Sequence, residues 1–377
     1  MTHMPDTPED EGDPRQPRLV RAAWIAGRDT FDLYACLLQP VAIGLMDEMV
    51  DVVVFCPAPG GAEPLASVPC EVARCPEVRW WGPRHAVVEG LAGELRKRKI
   101  DLLHALDASA ARLTRALARA TGLPYVLASY SLGDAQRLGD PARHAAAVLA
   151  GSEPVRRALL SGGIGPGEQV RLLRPGVHHV RRPTCFNEPR HSAAIIAGGP
   201  LADVEAFDAV LRSFAELALR KFDCVFFILG SGPAERRLRR RAEELKLSEH
   251  LTFADCHPLG QLTGIFKAAD VYVSPVVQTA VDVRSLLAIA AGVPVLAAAG
   301  EGANDFLRDG QTAISFAPGD AAELTVKLAA MLDDYASARS LAESAIQYIH
   351  ENHSPAVHVV GLAHLYRQTI GELAATT

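Results

Sequence analysis

No stretch of this 377-residue sequence is apolar for long enough to span a bilayer, and no basic excess exists. The formal net charge is −6, with part of the acidic surplus in the first fifteen residues. The first absence argues against a membrane-spanning helix. The second leaves no overall field to attract nucleic acid or anionic lipid, so no nucleic-acid partner is expected. A cysteine framework is missing too. The seven cysteines (Cys36, Cys56, Cys70, Cys75, Cys185, Cys224 and Cys256) are odd in number and irregularly spaced, which suits a reducing compartment. Neither Cys70 with Cys75, nor Cys256-His257, nor His178-His179 has the paired spacing of a zinc site, so no metal is expected. The opening Met-Thr-His-Met-Pro-Asp does not read as a signal peptide. The expectation is a cytoplasmic soluble protein without a cofactor.

What is present is a 49% hydrophobic, 22% charged chain, long enough for two domains. Residues 1–18, rich in Pro, Asp and Glu, are expected to be a disordered tail. From Leu19 onward, short apolar runs alternate with helical patterns of ten to fifteen residues. The runs are LVRAAWIAG, Val50–Pro57, Ile100–Asp107, LPYVLASY, Ala146–Glu153 and Gln169–Val177. The helical patterns cover Phe31–Met49, His85–Arg98 and Ser109–Thr121, with Ser109 as the expected N-cap. The basic, proline-containing segment 178–191 reads as a linker. The alternation then restarts with SAAIIAGG, helix Leu201–Arg220, DCVFFILG, helix Ala234–Lys246, LTFAD and helix Leu259–Ala269. It continues through DVYVSP, helix Val283–Ala291, VPVLAA and further helices from Ala321 to Ala375. Such alternation predicts βαβ units, and continuous rather than alternating hydrophobicity predicts parallel strands buried on both faces. The expected domains are 19–177 and 192–354, with a final helix over 355–377.

In the second half the punctuation becomes specific: Gly230-Ser231-Gly232-Pro233, Ala268-Ala269-Asp270-Val271, Ser274-Pro275 and Ala291-Gly292-Val293-Pro294-Val295. Asp309-Gly310-Gln311-Thr312-Ala313 and Pro318-Gly319-Asp320 follow. Taken singly these are turn and cap residues; Pro318-Gly319-Asp320, for instance, is a turn whose Asp caps a helix. In this order the pattern resembles the family 4 glycosyltransferases (glycosyl transferases group 1). The phrases IDLLHALD, TGLPYVLASY, VLAGSEPVRRAL and LLRPGV extend the likeness through the first half. The resemblance implies an α/β GT-B fold, two doubly wound Rossmann-like domains facing a central cleft. The first domain would lie on the acceptor side and the second on the nucleotide-sugar side, with the C-terminal helix returning to the first.

It also implies a reaction: transfer of a sugar from a nucleotide diphosphate sugar with retention. The family serves it with an Arg and a Lys after the first strand of the second domain, two glutamates, a histidine from the first domain, and a helix N-terminus facing the phosphates. By the resemblance, Pro200 stands at the Arg, Glu205 at the Lys, Thr279 and Leu287 at the glutamates and Tyr130 at the histidine. Asp282 falls where the family has a small glycine facing the phosphates, with Arg284 and Lys267 as partial compensation. Like charges about 5 Å apart at an effective dielectric near 20 cost on the order of 3 kcal/mol per contact, which disfavours a diphosphate here. The nucleotide-facing candidates are Gly198, Gly199, Gly230, Thr279, Asp282 and Val283. His104 is a further cleft candidate, because strand-end residues of an α/β sheet lie toward the ligand crevice.

Two readings follow. One is a pseudoenzyme, kept as a binding protein or as the partner of an active glycosyltransferase. The other is a divergent transferase that uses a nucleotide sugar. Trp80-Trp81, flanked by Arg79 and Arg84, reads as a loop anchor or as a peripheral membrane contact. The arginine run 236–241 shares its helix with Glu235, Glu243 and Glu244 and reads as a solvated face.

Overall fold

Strands that are apolar on every residue need cover on both faces, and the chain supplies it twice. The computed structural model describes residues 18–57, 70–75, 84–165, 167–187, 192–255 and 261–374. The segment 1–17, Trp80-Trp81 and Cys256-His257 lie outside these. The first half builds a parallel sheet from β1 (Val20–Ile25), β2 (Val50–Pro57), β3 (Glu71–Cys75), β4 (Leu102–Ala105), β5 (Tyr125–Ser129), β6 (Ala147–Ala150) and β7 (Val170–Leu172). Their order is β3-β2-β1-β4-β5-β6-β7. The helices between them are α1 (Arg28–Asp47), α2 (His85–Lys97), α3 (Ala108–Thr121), α4 (Leu132–Arg137), α5 (Gly139–Arg143) and α6 (Glu153–Ser161).

The second half repeats the plan with β8 (Ala193–Gly198), β9 (Cys224–Leu229), β10 (Leu251–Ala254), β11 (Val271–Ser274), β12 (Val295–Ala298) and β13 (Ile314–Phe316). Their order is β10-β9-β8-β11-β12-β13, again parallel throughout. Its helices are α7 (Val204–Leu219), α8 (Glu235–Glu244), α9 (Leu262–Phe266), α10 (Val283–Ala290), α11 (Ala321–Asp333), α12 (Tyr335–Asn352) and α13 (Pro355–Ala374). Among the described residues no helix is long and apolar enough to cross a membrane.

Local chemistry departs from the sequence expectation in a few places. The N-cap of α3 is Asp107, not Ser109. Asp107 is extended and its carboxylate accepts from Ala110 N–H at 3.0 Å, while the Ser109 hydroxyl donates to that same carboxylate. Strands β3 and β13 and helices α4 and α5 carry no continuous apolar run from which to be anticipated. Only Leu262–Phe266 of the helix expected over Leu259–Ala269 is helical, residues 256–260 lying outside the described set. Asp320 does cap α11, accepting from Glu323 N–H at 2.9 Å.

One apolar core runs through both halves: Leu37, Val41 and Leu45 of α1 join Leu286 and Ile289 of α10, Ile349 of α12 and Leu362 of α13. Helix α13 lies on α1 so closely that a methyl on Gly44 would sit 2.8 Å from a Val359 methyl. The Trp24 indole N–H donates to the Tyr366 hydroxyl at 2.9 Å, tying β1 to α13. The chain leaving β7 is held beneath α12 and α13 by Val177 N–H on the His353 carbonyl (2.9 Å). The rings of His353 and His358 meet the carbonyls of Pro175 and Arg174 at 2.9 and 2.7 Å. A carbonyl only accepts, so both rings carry their proton on Nδ1. Burial pulls the His353 pKa down to about 4 and lowers that of His358. A polar clasp completes the contact: the Asp305 carboxylate accepts from Arg174 at 2.6 Å and from Glu153 N–H at 3.3 Å.

Two predictions follow from these contacts. A histidine that is harder to protonate in the native state than in the unfolded chain stabilises fully above pH about 6.5 and loses that contribution as pH falls toward about 4, where His353 alone accounts for about 3 kcal/mol. The thermal unfolding midpoint should therefore fall across that window, and fall less steeply in His353→Gln; identical slopes would rule the linkage out. Asp305→Ala strands the mostly buried Arg174 and should cost about 3 kcal/mol in urea unfolding, whereas loss of an exposed pair costs under about 1 kcal/mol.

Candidate functional site

In open α/β sheets, ligands gather beyond the carboxyl ends of the strands, where the strand order reverses. In the second sheet that point lies between β8 and β11. The β8–α7 turn begins with Gly198 and Gly199, and the Tyr272 hydroxyl donates to the Gly198 carbonyl at 3.2 Å. Gly230, at φ 149, stands so close that a methyl there would lie 2.1 Å from the Gly199 carbonyl oxygen. Only glycine fits. Leu201 N–H to the Ser231 carbonyl (3.0 Å) and Ala234 N–H to the Leu201 carbonyl (2.8 Å) zip the two turns together. Pro200 is exposed on this ridge. Glu205 is exposed on the first turn of α7, where its side chain approaches Gly319.

Across the reversal point stands the loop 275–282. Asp282 is 8% exposed and its carboxylate is fully engaged. It caps α10 by accepting from Arg284 N–H at 3.1 Å, and it also accepts from the hydroxyls of Ser274 (3.2 Å) and Ser285. Its own N–H donates to Asn304 at 2.7 Å, and the Asn304 amide donates back to the carbonyls of Ala280 (3.1 Å) and Gln278 (3.4 Å). Asn304 thereby sets the shape of the loop; no pattern in the sequence points to it. Val283 and Leu287 turn into the shared apolar core, at 5% exposure each. Arg284 is the cation near this point. Burial and the Asp282 carboxylate push the Tyr272 phenol well up, and the Arg284 charge opposes them.

The loop also crosses to the first half. Leu132 N–H donates to the Thr279 carbonyl and Val281 N–H to the Tyr130 carbonyl, each at 2.8 Å, around an antiparallel bridge between Ser131 and Ala280. Tyr130 thus lies opposite Val281 and Thr279 opposite Leu132, each pair joined by a main-chain hydrogen bond, so Tyr130 and Thr279 sit diagonally across the bridge. The Tyr130 ring stacks on Tyr34 with centroids 5.0 Å apart, and burial pushes its phenol up to about 12. A phenol that weakly acidic exchanges no proton near neutrality.

His104 does not open to the crevice. It is 2% exposed beneath α13, with Nδ1 2.6 Å from the Tyr366 hydroxyl. The same hydroxyl accepts from Trp24, and His104 Nε2 is buried with no hydrogen-bond partner among the described residues. Burial drives its pKa down to about 3. What stays open between the halves is a cavity of about 550 Å³, bounded by Leu132, Pro154 and Arg157 on one side and by Val277, Gly300 and Glu301 on the other.

The family model "Glycosyl transferases group 1" matches residues 193–334, and "Glycosyl transferase 4-like domain" matches residues 38–176. The D-inositol 3-phosphate glycosyltransferase of Mycobacterium leprae (strain Br4923) is 29% identical over 218 residues, 56% of this chain and 50% of that protein. The protein of that name from Mycobacterium tuberculosis (strain ATCC 25177 / H37Ra) is 28% identical over 313 residues, 77% of this chain and 62% of its own. The chain thus spans about half the length of the first curated relatives it matches. Among solved structures, a glycosyltransferase from Rickettsia africae ESF-5 superposes with a TM-score of 0.77 at 12% identity, covering 93% of this chain and 98% of that one. Anabaena HepE in complex with UDP and glucose gives 0.74 at 15% identity, covering 92% and 98%. Matches over both sheets, on a fold shared with solved GT-B glycosyltransferases, make this chain a member of the group 1, family 4 glycosyltransferases.

Proposed function

We propose that this chain is a non-transferring member of its family, which uses the GT-B scaffold as a binding protein or as the partner of an active glycosyltransferase in glycan synthesis. The observation that carries the proposal is the Asp282 carboxylate. It occupies the start of α10, where a leaving diphosphate would need free N–H donors and positive charge. The turn after β8 adds no cation; it reads Gly198 through Glu205 without Lys or Arg. Tyr130 and Thr279 bring no carboxylate or imidazole, and their main chains are hydrogen-bonded to each other's loops. Gly198, Gly199, Gly230, Thr279 and Asp282 remain the positions that would border a nucleotide, while Val283 packs in the core.

A specific observation favours the second reading, a divergent transferase. Arg284 lies near the Tyr272 hydroxyl beside Gly198, and one cation there offsets one of the two carboxylates at Glu205 and Asp282. UDP and glucose are present in the HepE structure, so a nucleotide sugar is the first ligand to try.

The test is turnover and binding with the full chain. UDP-glucose and GDP-mannose should be neither hydrolysed nor transferred, and calorimetry should find UDP affinity weaker than about 1 mM, or −4 kcal/mol. Glu205→Lys with Asp282→Gly removes both negative charges and should tighten UDP binding by at least about tenfold, a gain of 1.4 kcal/mol. Sugar transfer by the unmodified chain, lost on Arg284→Gln, would instead establish the divergent transferase.

A further inference from the structure

The first domain carries a concentration of positive charge that the crevice does not use. Arg112, Arg115 and Arg119 follow one another on α3 at spacings of three and four, and so share one face of that helix. Helices α4 and α5 wrap beside that face and bring Arg137 and Arg143 to its edge. A groove of about 510 Å³ lies between Arg112, Arg115, Arg119 and Arg137. An adjoining one of about 380 Å³ shares Arg115 and Arg119 and adds Arg143 and His144. Among the described residues Asp140 is the one carboxylate lining either groove, and it pairs with Arg115. On a chain of net charge −6, this is a local inversion of sign.

The groove is also shaped. The Arg115 side chain is only 16% exposed and is held by Asp140. Below it the Tyr125 hydroxyl donates to the Pro141 carbonyl at 2.6 Å, fixing the turn that forms one wall. A methyl built on Gly139 at the rim would meet nothing within 4 Å. A solvated helix face, by contrast, alternates its charges: on α8, Arg239 pairs with Glu235, and Arg241 with Asp208 and Glu244.

We propose that this groove is a binding site for a small ligand carrying two or more phosphoryl groups, separate from the interdomain crevice. Arginine forks match phosphoryl oxygens two at a time, and several in one concavity suit a charge density that a single carboxylate does not reach. Arg119 lies seven residue steps along the helix from Arg112, a span of about 10 Å, longer than one phosphate and suited to a short chain of them. The Tyr125 ring is 6% exposed and offers no face for a base to stack on, which leaves His144 as the one exposed ring among the described lining residues. An acidic molecule repels a long polyanion, so single-stranded nucleic acid is a poor occupant. The phosphoryl groups can belong to a free metabolite or to a lipid headgroup, and the experiment separates the two.

The probes are sodium tripolyphosphate, followed by calorimetry, and phosphatidylcholine vesicles doped with phosphatidylinositol bisphosphate, followed by cosedimentation. The full chain should bind tripolyphosphate saturably, and about 0.3 M salt should weaken that binding. Arg119→Ser with Arg143→Ser, both exposed positions outside the crevice, should weaken it about tenfold without moving the unfolding midpoint. Binding to the vesicles alone, lost in the same variant, upholds the site and assigns it to a headgroup. The control is Arg236→Ser with Arg237→Ser on α8. An equal loss in that control, or undiminished binding in the groove variant, overturns the proposal, and so does the absence of binding to either probe.

Discussion

The main-chain bridge between Tyr130–Leu132 and Thr279–Val281 holds the two sheets face to face. Hydrogen bonds between two loops are ordinarily weak anchors, because each loop moves. Here both loops are immobilised from behind. Ser131 caps α4, accepting from Asp134 N–H at 2.9 Å, and Asn304 grips the opposite loop through the Asp282 N–H and two carbonyls. The bridge therefore joins two rigid edges and sets the width of the crevice on that side.

That rigidity has consequences for chemistry. Catalysis of sugar transfer needs groups that stabilise charge as it develops on a leaving diphosphate. The residues that the resemblance sets at those positions have structural contacts here: Asp282 is an internal cap, Leu287 packs in the core, and Tyr130 stacks on Tyr34. The glycines of the two turns remain, because their role is steric; a side chain on Gly230 would collide with the facing main chain whatever the ligand. On the proposed reading, scaffold and chemistry have separated, as fold and function are free to do.

Beneath the crevice, the returning helix α13 converts the first domain's strand ends into a buried polar layer. Trp24, Tyr366 and His104 are joined by hydrogen bonds, and His353 and His358 close the β7 end. Burial lowers the pKa of all three imidazoles, which favours their neutral forms and is the basis of the acid sensitivity predicted for this layer. The arginines of α3 obey the opposite logic, lining open grooves where water supports their charge.

The sequence by itself determined the two parallel sheets, because β1, β2, β8, β9, β11 and β12 are apolar on nearly every residue and only strands covered on both faces tolerate that. It also determined the turns that demand glycine and the cap at Asp320, which depend on neighbours a few residues away. The short elements β3, β13, α4 and α5 escaped, since EVARC, ISF, LGDAQR and GDPAR lack the continuous apolar run that made equally short strands such as β4 and β11 stand out. Only the tertiary structure decided that His104 meets Tyr366 across 262 positions of chain, that Asn304 shapes the loop at Asp282, and that five arginines from three helices converge. Those contacts are set by how whole layers pack, and packing between distant segments leaves no local pattern in a single sequence.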